Sequence, residues 1–349
     1  MDTIWFWLVA CMIAAYVIFD GFDLGAGIVH FFVARTDAER RAVLSTVGPV
    51  WDGNEVWLLA AGGTLYFAFP ALYASSFSGF YLPLMMVLWL LIMRAASIEF
   101  RNHVESPVWQ PLWDAGFAVG SALLAIFFGA ALGNVVRGVP LDAQGEFFLP
   151  LWTDWMPGKS PGILDWYTVL TGLTALAALA LHGSLWVALK TSGEIERRAR
   201  RAAFLVWWAV LALVALLTIA SFQIQPRLRA TFGAQPWGYI FPFAAAAALV
   251  AIAVMNKRLH ERGAFLSSCL FLATMLVSVV FGLYPAVLPS NGDPANSLTI
   301  TNASAAPYAL HVGMVWFIPG MALVAVYFVY AYRSFAGKVS GDDGAKSAY

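Results

Sequence analysis

Nine segments of this 349-residue chain are long and apolar enough to cross a lipid bilayer, and they leave room for little else. A helical crossing needs about 20 mainly apolar residues, because its backbone polar groups must be satisfied within the helix. The predicted spans lie at about residues 5–33, 51–69, 76–98, 113–136, 162–189, 202–222, 239–256, 264–285 and 308–332. Only 11% of the residues are charged, against roughly 25% in soluble domains. The chain is therefore predicted to be an all-α, polytopic membrane protein.

The connections between these spans are too short for a separate soluble domain. The longest, at about 137–161, is rich in Trp, Pro and Gly and is predicted to be a structured external loop. We expect a single transmembrane helical domain over 1–335 and a disordered cytoplasmic tail over 336–349. The amino terminus lacks the basic flank and the cleavage site of a signal peptide, so the first apolar segment is expected to be retained.

Basic residues are distributed unequally between the two sides of the predicted membrane. Sixteen follow odd-numbered spans or lie in the tail, and four lie on the other side. Those four are Arg137, Lys159, Arg227 and Arg229. The positive-inside rule then places the amino terminus outside and the carboxyl terminus in the cytoplasm. The second span is the weakest by hydropathy, yet omitting it would scramble this distribution, which supports nine crossings.

Twenty basic residues balance twenty acidic ones, so no net charge attracts nucleic acid.

Two aspartates lie inside the first predicted span. Asp20 and Asp23 are three residues apart and share one helix face, in the cytoplasmic half of the span. Gly21 and Gly25 form a GxxxG pair, which lets a second helix approach closely. These carboxylates are therefore expected to face the interior of a helical bundle.

Two further carboxylates, Asp52 and Glu55, lie at the cytoplasmic start of the second span. Asp52 has a structural alternative, because an acid there can cap a helix or favour its positive end; this explains Glu55 less well. Ionisable groups inside membrane spans are costly and commonly mark proton or ion routes. The four acids together predict a hydrated proton entry. Alternatively, Arg94, Glu99 and Arg101 at the end of the third span pair with some of them in a structural ion network.

The sequence indicates no metal or haem site in this chain. Its five histidines show no HxxxH spacing, and Cys-x-x-Cys-His is absent. His182 and His311 lie within or near apolar spans and are the remaining ligand candidates, although hydrogen-bonded histidines are the more common case. Cys11 and Cys269 lie far apart in apolar segments and are interpreted as small buried hydrophobes. We therefore expect no directly bound cofactor.

Several motifs resemble one family of membrane proteins. They are "FDGFDLGAG" in the first span, "GPVWDGNEVWL" opening the second, "FSGFYLP" before the third, and later "LYPAVLPS" and "SLTITNASAAPYAL". In order and spacing they resemble subunit II of cytochrome bd-type quinol oxidases, and the similarity extends over nearly the whole chain.

The resemblance implies two four-helix bundles plus one peripheral helix. It also implies a bacterial cytoplasmic (inner) membrane enzyme that oxidises ubiquinol or menaquinol and reduces dioxygen to water. Haem b, haem d and the quinol site would lie in a partner, subunit I, with small single-span subunits as further possible partners. This chain would bind no haem, would not be catalytic alone, and would contribute a cytoplasmic proton route.

The same resemblance suggests roles for single residues. Asp52, in "WDGN", matches the family position assigned to proton entry. Glu55 occupies a position where relatives can carry Gln, which weakens an essential role for it, and Asp20 and Asp23 match the acids of the family's first span. The neighbours expected to pack or to lie at the interface are Trp51, Gly53, Asn54, Trp57, Gly21 and Gly25.

Two other classes of function use the same acids differently. A proton-coupled secondary transporter would use them as coupling sites, but the chain lacks a matched pair of interrupted helices in its two halves. A purely structural scaffold predicts that neutralising Asp52 impairs assembly alone.

Overall fold

The computed structural model describes residues 1–158 and 161–339, and these residues are predominantly helical. The helices are α1 (Asp2–Val33), α2 (Asp37–Leu44), α3 (Trp51–Ala68), α4 (Pro70–Gly79), α5 (Tyr81–Phe100), α6 (Trp109–Arg137), α7 (Trp166–Lys190), α8 (Gly193–Ile224), α9 (Pro226–Ala234), α10 (Ile240–Lys257), α11 (Glu261–Leu283) and α12 (Pro307–Ser334). Short 3₁₀ turns lie at Pro236–Tyr239 and Pro294–Asn296. Two short antiparallel strands, β1 (Ala286–Leu288) and β2 (Leu298–Thr299), form the one sheet in the described part of the chain.

Within the described residues, eight helices are long and apolar enough to cross a membrane: α1, α5, α6, α7, α8, α10 with its preceding 3₁₀ turn, α11 and α12. The prediction of a polytopic helical membrane protein is thus confirmed. The helix α3, which corresponds to the second predicted span, is 18 residues long but is not among the eight. Its first turns carry Asp52 and Glu55, which lower its hydropathy. The count of nine crossings therefore stays a prediction.

Two predicted boundaries differ from the structure. The third span, expected at 76–98, begins inside α4, and a break at Phe80 separates α4 from α5. Pro83 lies in the first turn of α5, where its missing N–H breaks no helical hydrogen bond, whereas a helix continuing through it would lose one. The basic segment before the sixth span is also largely helical, because α8 begins at Gly193 with Glu194 and Glu196 at its positive end.

Helices α1 and α7 form the centre of the structure. Helix α1 packs against α3, α6, α7, α8 and α11, and α7 packs against α6, α8 and α11. Glycines permit the closest crossing: a Cβ on Gly25 would lie 2.1 Å from the Leu179 carbonyl oxygen, and one on Gly183 would lie 2.0 Å from the carbonyl carbon of Gly25. The backbones of α1 and α7 are therefore in direct contact.

Helix α12 lies at the periphery and contacts α1 and α3 through side chains. Only Leu310 of this helix is buried. Its carbonyl accepts a hydrogen bond from the Trp5 indole at 3.1 Å, and farther along α12 the rings of Phe328 and Tyr332 contact Phe19 of α1. Most of the apolar surface of α12 is thus free to face lipid or another protein chain.

At the end opposite α2, irregular segments are fastened by polar contacts. Arg137 pairs with Asp165, which also caps α7 by accepting the backbone N–H of Tyr167 and of Thr168 at 2.8 Å each. Val139 donates its backbone N–H to Pro289, which ties the predicted external loop to the strand region. Lys159 and the tail residues 340–349, which entered the sequence predictions, lie outside the described residues.

Candidate functional site

Arg94 bridges two of the predicted acids. Its guanidinium donates to Asp20 of α1, with 2.5 Å between Nη1 and Oδ1, and also to Glu55 of α3. Arg94 and Asp20 are fully buried, whereas the Glu55 side chain is 20% exposed. A buried charge needs a partner, and Arg94 supplies one cation for two carboxylates. Arg94 thereby connects the three helices α1, α3 and α5 through one guanidinium group.

Asp23 has a different environment. Its Oδ2 accepts a hydrogen bond from the Asn54 amide at 2.8 Å, and the Asn54 oxygen accepts one from the Tyr332 hydroxyl, also at 2.8 Å. Asp23 and Asn54 are fully buried. The other oxygen of Asp23, Oδ1, has no hydrogen-bond partner among the described residues, and the same holds for Oδ2 of Asp20. Asn54, predicted as a packing residue, therefore links α12 to an acid in α1.

Asp52 lies at the outer edge of this group. It is exposed, in the first turn of α3, and its carboxylate accepts the Gly53 N–H at 2.7 Å. The N-cap position belongs to Val50, so Asp52 favours the positive end of the helix without being its cap residue. Glu55 follows one turn later and reaches Arg94. The structure therefore places Asp52 at the surface, Glu55 at an intermediate level, and Asp20 and Asp23 in the interior.

The predicted packing residues surround these acids. The Trp51 indole donates to Glu99 at 3.1 Å, and the Trp57 ring stacks on Phe19. A Cβ on Gly53 would lie 3.0 Å from the Tyr327 hydroxyl. The two glycines of α1, Gly21 and Gly25, both face α7. They do not lie against α3 or α5, which carry the partners of Asp20 and Asp23.

A second ion network lies toward the α2 end of the same helices. Arg101, suggested from sequence as a partner of the four acids, instead donates to Asp114 at 2.6 Å and to Asp37 at 2.7 Å. That part of the alternative is wrong, because Arg101 follows α5 and points to the α2 side. Asp114 also bonds His30 at 3.0 Å. The network was not predicted, although a lone acid inside an apolar segment, such as Asp114, signals a buried partner.

Helix α2 is fixed by this network and by its own cap. The Thr36 hydroxyl accepts the Glu39 N–H, and the Glu39 carboxylate accepts the Thr36 N–H, which forms a capping box. Glu39 also pairs with Arg198 of α8. Asp37, at the start of α2, pairs with Arg41 as well as Arg101. Helix α2 therefore connects α5 and α6 to α8.

The described histidines do not form a buried pair of free imidazoles suited to axial haem ligation. Both ring nitrogens of His182 are bonded, to the Ser268 hydroxyl at 2.7 Å and to the Ile18 carbonyl at 2.9 Å. His30 belongs to the Asp114 network, and the remaining three histidines, including His311, are exposed. No group of three or more His, Cys, Asp or Glu side chains is placed to hold a metal ion within the described residues.

Three comparisons, with family models, with curated proteins and with solved structures, each find proteins similar to this chain. A family model described as cytochrome bd terminal oxidase subunit II matches residues 1–335. Among curated relatives, the cytochrome bd-I ubiquinol oxidase subunit 2 of Escherichia coli K12 is 27% identical over 97% of this chain and 95% of the relative. The cytochrome bd ubiquinol oxidase subunit 2 of Bacillus subtilis 168 is 29% identical, with 97% of each chain covered. The probable cytochrome oxidase subunit 2 of Haemophilus influenzae is 29% identical over 97% of this chain.

A solved structure shows the same fold. It is the bd oxidase from Geobacillus thermodenitrificans, with a TM-score of 0.75 and 18% identity, covering 96% of this chain and 98% of that one. At this identity the likeness concerns the fold alone.

Proposed function

The chain belongs to the family of subunit II of cytochrome bd terminal oxidases, and from that premise we propose that it is the haem-free subunit that supplies a proton route to the oxygen-reducing centre. Membership in the family makes it a subunit of an oxidoreductase complex of respiration and removes the transporter alternative. In the proposal, a separate subunit I holds haem b, haem d and the quinol site, and small single-span subunits join the complex. In this chain His182, one of the two ligand candidates, has both ring nitrogens engaged in hydrogen bonds.

We propose that the chain crosses the bacterial cytoplasmic membrane nine times, with α3 as the crossing that hydropathy does not detect. Helix α3 packs along α1, and its charged first turns bond to groups of α1, α5 and α12. A polar helix start that is satisfied by neighbouring helices does not need to face lipid. Eight helices and α3 give two groups of four, before and after residue 160, with α12 as the peripheral ninth. The positive-inside rule orients them with α2 in the cytoplasm.

The observation that supports the proton route is the ordering of the four acids from surface to interior. Asp52 is exposed at the cytoplasmic end of α3, Glu55 lies one turn deeper, and Asp20 and Asp23 are fully buried on α1. Asp23 is ten residues from the end of α1, which corresponds to about 15 Å along a helix. The acids thus extend from the cytoplasmic edge well into the membrane thickness.

In this mechanism each residue has a separate task. Asp52 accepts a proton from cytoplasmic water, and Glu55, part exposed, receives it one turn deeper. Arg94 holds Glu55 and Asp20 in place and balances one of their negative charges. The haems and dioxygen of the partner subunit supply the redox chemistry, and this chain orients and moves the protons that reaction consumes.

The test is the variant Asp52→Asn in the intact oxidase complex, with Glu105→Gln, another exposed acid, as the matched control. We expect haem content to stay normal in both variants, because Asp52 pairs with no cation in the described structure. Turnover with quinol and dioxygen should fall several-fold in Asp52→Asn alone, since its surface proton acceptor is lost. Normal assembly with full turnover at every pH would refute the role of Asp52, and loss of assembly alone would favour the scaffold interpretation.

A further inference from the structure

A cavity of about 860 Å³ lies at the ends of α7 and α12, on the side that carries α2. Its lining combines apolar rings, such as Trp186, with the polar side chains of Ser45, Lys190 and His260. Residues of the 334–339 segment, which follows α12, also line it. A cavity of this size with several polar groups is large enough to hold many water molecules.

Tyr332 connects this cavity to the buried acids. Its side chain lines the cavity, and its hydroxyl donates to Asn54 at 2.8 Å. The Asn54 amide in turn donates to Asp23 at 2.8 Å. Only two side chains therefore separate the cavity from a carboxylate whose Oδ1 is fully buried and has no partner among the described residues.

The hydrogen bonds of Asn54 to Asp23 and to Tyr332 close the path for protons between the cavity and Asp23. The Asn54 nitrogen is committed to Asp23 and its oxygen to Tyr332, and an amide held in this way does not pass a proton from one side to the other. Rotation of the Tyr332 ring would free the Asn54 oxygen and admit water from the cavity. Asp23 would then exchange its proton with that water.

The charges around Asp23 favour a proton on its carboxyl group. Among the described residues Arg94 is the one cation paired with the three carboxylates of this group, and it bonds Asp20 and Glu55 but not Asp23. An isolated ionised carboxylate in an apolar interior is far more costly than a neutral one. Asp23 bonds the neutral Asn54 amide and no cation among the described residues, and in the proposal below it is the acid that carries the proton.

We propose that this cavity is a second entrance for protons to the buried acids, separate from Asp52, that Tyr332 and Asn54 gate and that loads Asp23. The proposal rests on the proton route described above and adds a path to it. A proton from cavity water binds Asp23 as the proton already there passes to the Asp20 or Glu55 carboxylate. No electron or heavy atom is exchanged in this step.

The first experiment blocks the cavity in the intact oxidase complex. Ser334→Cys places a thiol at an exposed position of the cavity lining, and Ala38→Cys places one at an exposed position of α2 outside the lining. Both variants, and the unaltered complex as a control for Cys11 and Cys269, are treated with a bulky, membrane-impermeant thiol reagent. We expect turnover to fall several-fold in labelled Ser334→Cys alone. Equal turnover in labelled Ser334→Cys and labelled Ala38→Cys would overturn the proposal.

The second experiment measures the gate by infrared spectroscopy. The C=O band of a protonated carboxyl group shifts when its proton is replaced by deuterium, and Asp23→Asn identifies the band of Asp23 by removing it. Tyr332→Phe keeps the ring but removes the hydroxyl, and Tyr330→Phe, on the exposed face of α12, is the control. Replacement of the Asp23 proton by deuterium should be about fivefold faster in Tyr332→Phe than in the unaltered complex. This factor corresponds to the loss of one neutral hydrogen bond of about 1 kcal/mol.

The outcomes separate this proposal from the proposed function. Unchanged exchange in Tyr332→Phe, or a band that Asp23→Asn does not remove, would overturn the gate. If Asp52→Asn lowers turnover and blocking the cavity does not, the second entrance is wrong and the Asp52 route stands. If blocking acts and Asp52→Asn does not, the cavity is the entrance and the role of Asp52 is refuted.

Discussion

The crossing of α1 and α7 gives a sharp test of the packing, because two glycines one turn apart face the same helix with different clearances. We compare Gly25→Ala with Gly21→Ala. A Cβ on Gly25 would lie 2.1 Å from the Leu179 carbonyl oxygen and 2.6 Å from the Gly183 nitrogen. A Cβ on Gly21 would meet the Leu179 side chain, at 3.0 Å from Cδ2.

These distances predict that the two substitutions change the free energy of unfolding by different amounts. At Gly25 the obstacles are backbone atoms, and bringing the 2.1 Å contact to about 3.4 Å requires the two helices to separate by about 1.3 Å. Overpacking of this kind costs about 1–3 kcal/mol of folding free energy. At Gly21 the obstacle is the end of a flexible side chain, which can rotate away. Alanine also favours a helix over glycine by about 1 kcal/mol in an exposed site, and this offsets a small clash. We expect Gly25→Ala to be less stable than Gly21→Ala by about 2 kcal/mol, or roughly 30-fold in the unfolding equilibrium.

The assay is unfolding of the purified complex in mixed micelles with increasing dodecyl sulfate, followed by tryptophan fluorescence. The fraction of complex assembled in the membrane provides a second measure. The two variants alter positions one helical turn apart on the same face of α1, so general effects of adding a methyl group cancel. Equal stability of the two variants, or a fully tolerated Gly25→Ala, would refute direct backbone contact between α1 and α7.

Two further predictions concern the ion pairs. Arg94→Met leaves Asp20 buried without a cation and should lower the free energy of unfolding by about 3–5 kcal/mol. Adding Asp20→Asn should recover much of that loss in the same micelle titration. A double variant no more stable than Arg94→Met would contradict the pairing. Burial raises the pKa of Asp37, but hydrogen bonds from Arg101 and Arg41 outweigh it and lower that pKa below its usual value. The stabilisation from Asp37 should therefore be complete above about pH 4, the ordinary aspartate pKa, and be lost as the pH falls through the lower folded value. The thermal midpoints of wild type and Asp37→Asn should differ at pH 7 and converge in acid; a constant difference would count against the pairing.

Most helices could be predicted from hydropathy, because a lipid-facing helix must be apolar over its length. The exceptions have physical causes. The third predicted span merged α4 with α5, since hydropathy averaged over a window does not detect a break at a single apolar residue such as Phe80. The helical start of α8 was missed because its charges, exemplified by Glu194 and Arg197, resemble those of a loop, while their i,i+3 pairing stabilises a helix.

For the site, the sequence located the acids but could not assign all their partners. Arg94 was a candidate because a lone cation in an apolar span requires a counter-charge. Asn54 carries no charge, and its two partners are 31 and 278 residues away, so no local pattern predicts its role. Tyr332 lies among other aromatic residues of α12, and only the three-dimensional structure distinguishes it from its exposed neighbour Tyr330.

The ion pair between Glu39 of α2 and Arg198 of α8 has a consequence for biosynthesis. The two residues are 159 positions apart. At about 5–20 residues added per second, roughly 8–30 s pass between the synthesis of one and the other. During that time α2 can already be held to the amino-terminal helices, by Arg101 on Asp37 and by Arg40 on Asp114 of α6. The ion pair between Glu39 and Arg198 forms only after α8 has been synthesised, so a chain interrupted before α8 leaves Glu39 without its cation partner, bonded to the backbone N–H groups of Arg35 and Thr36.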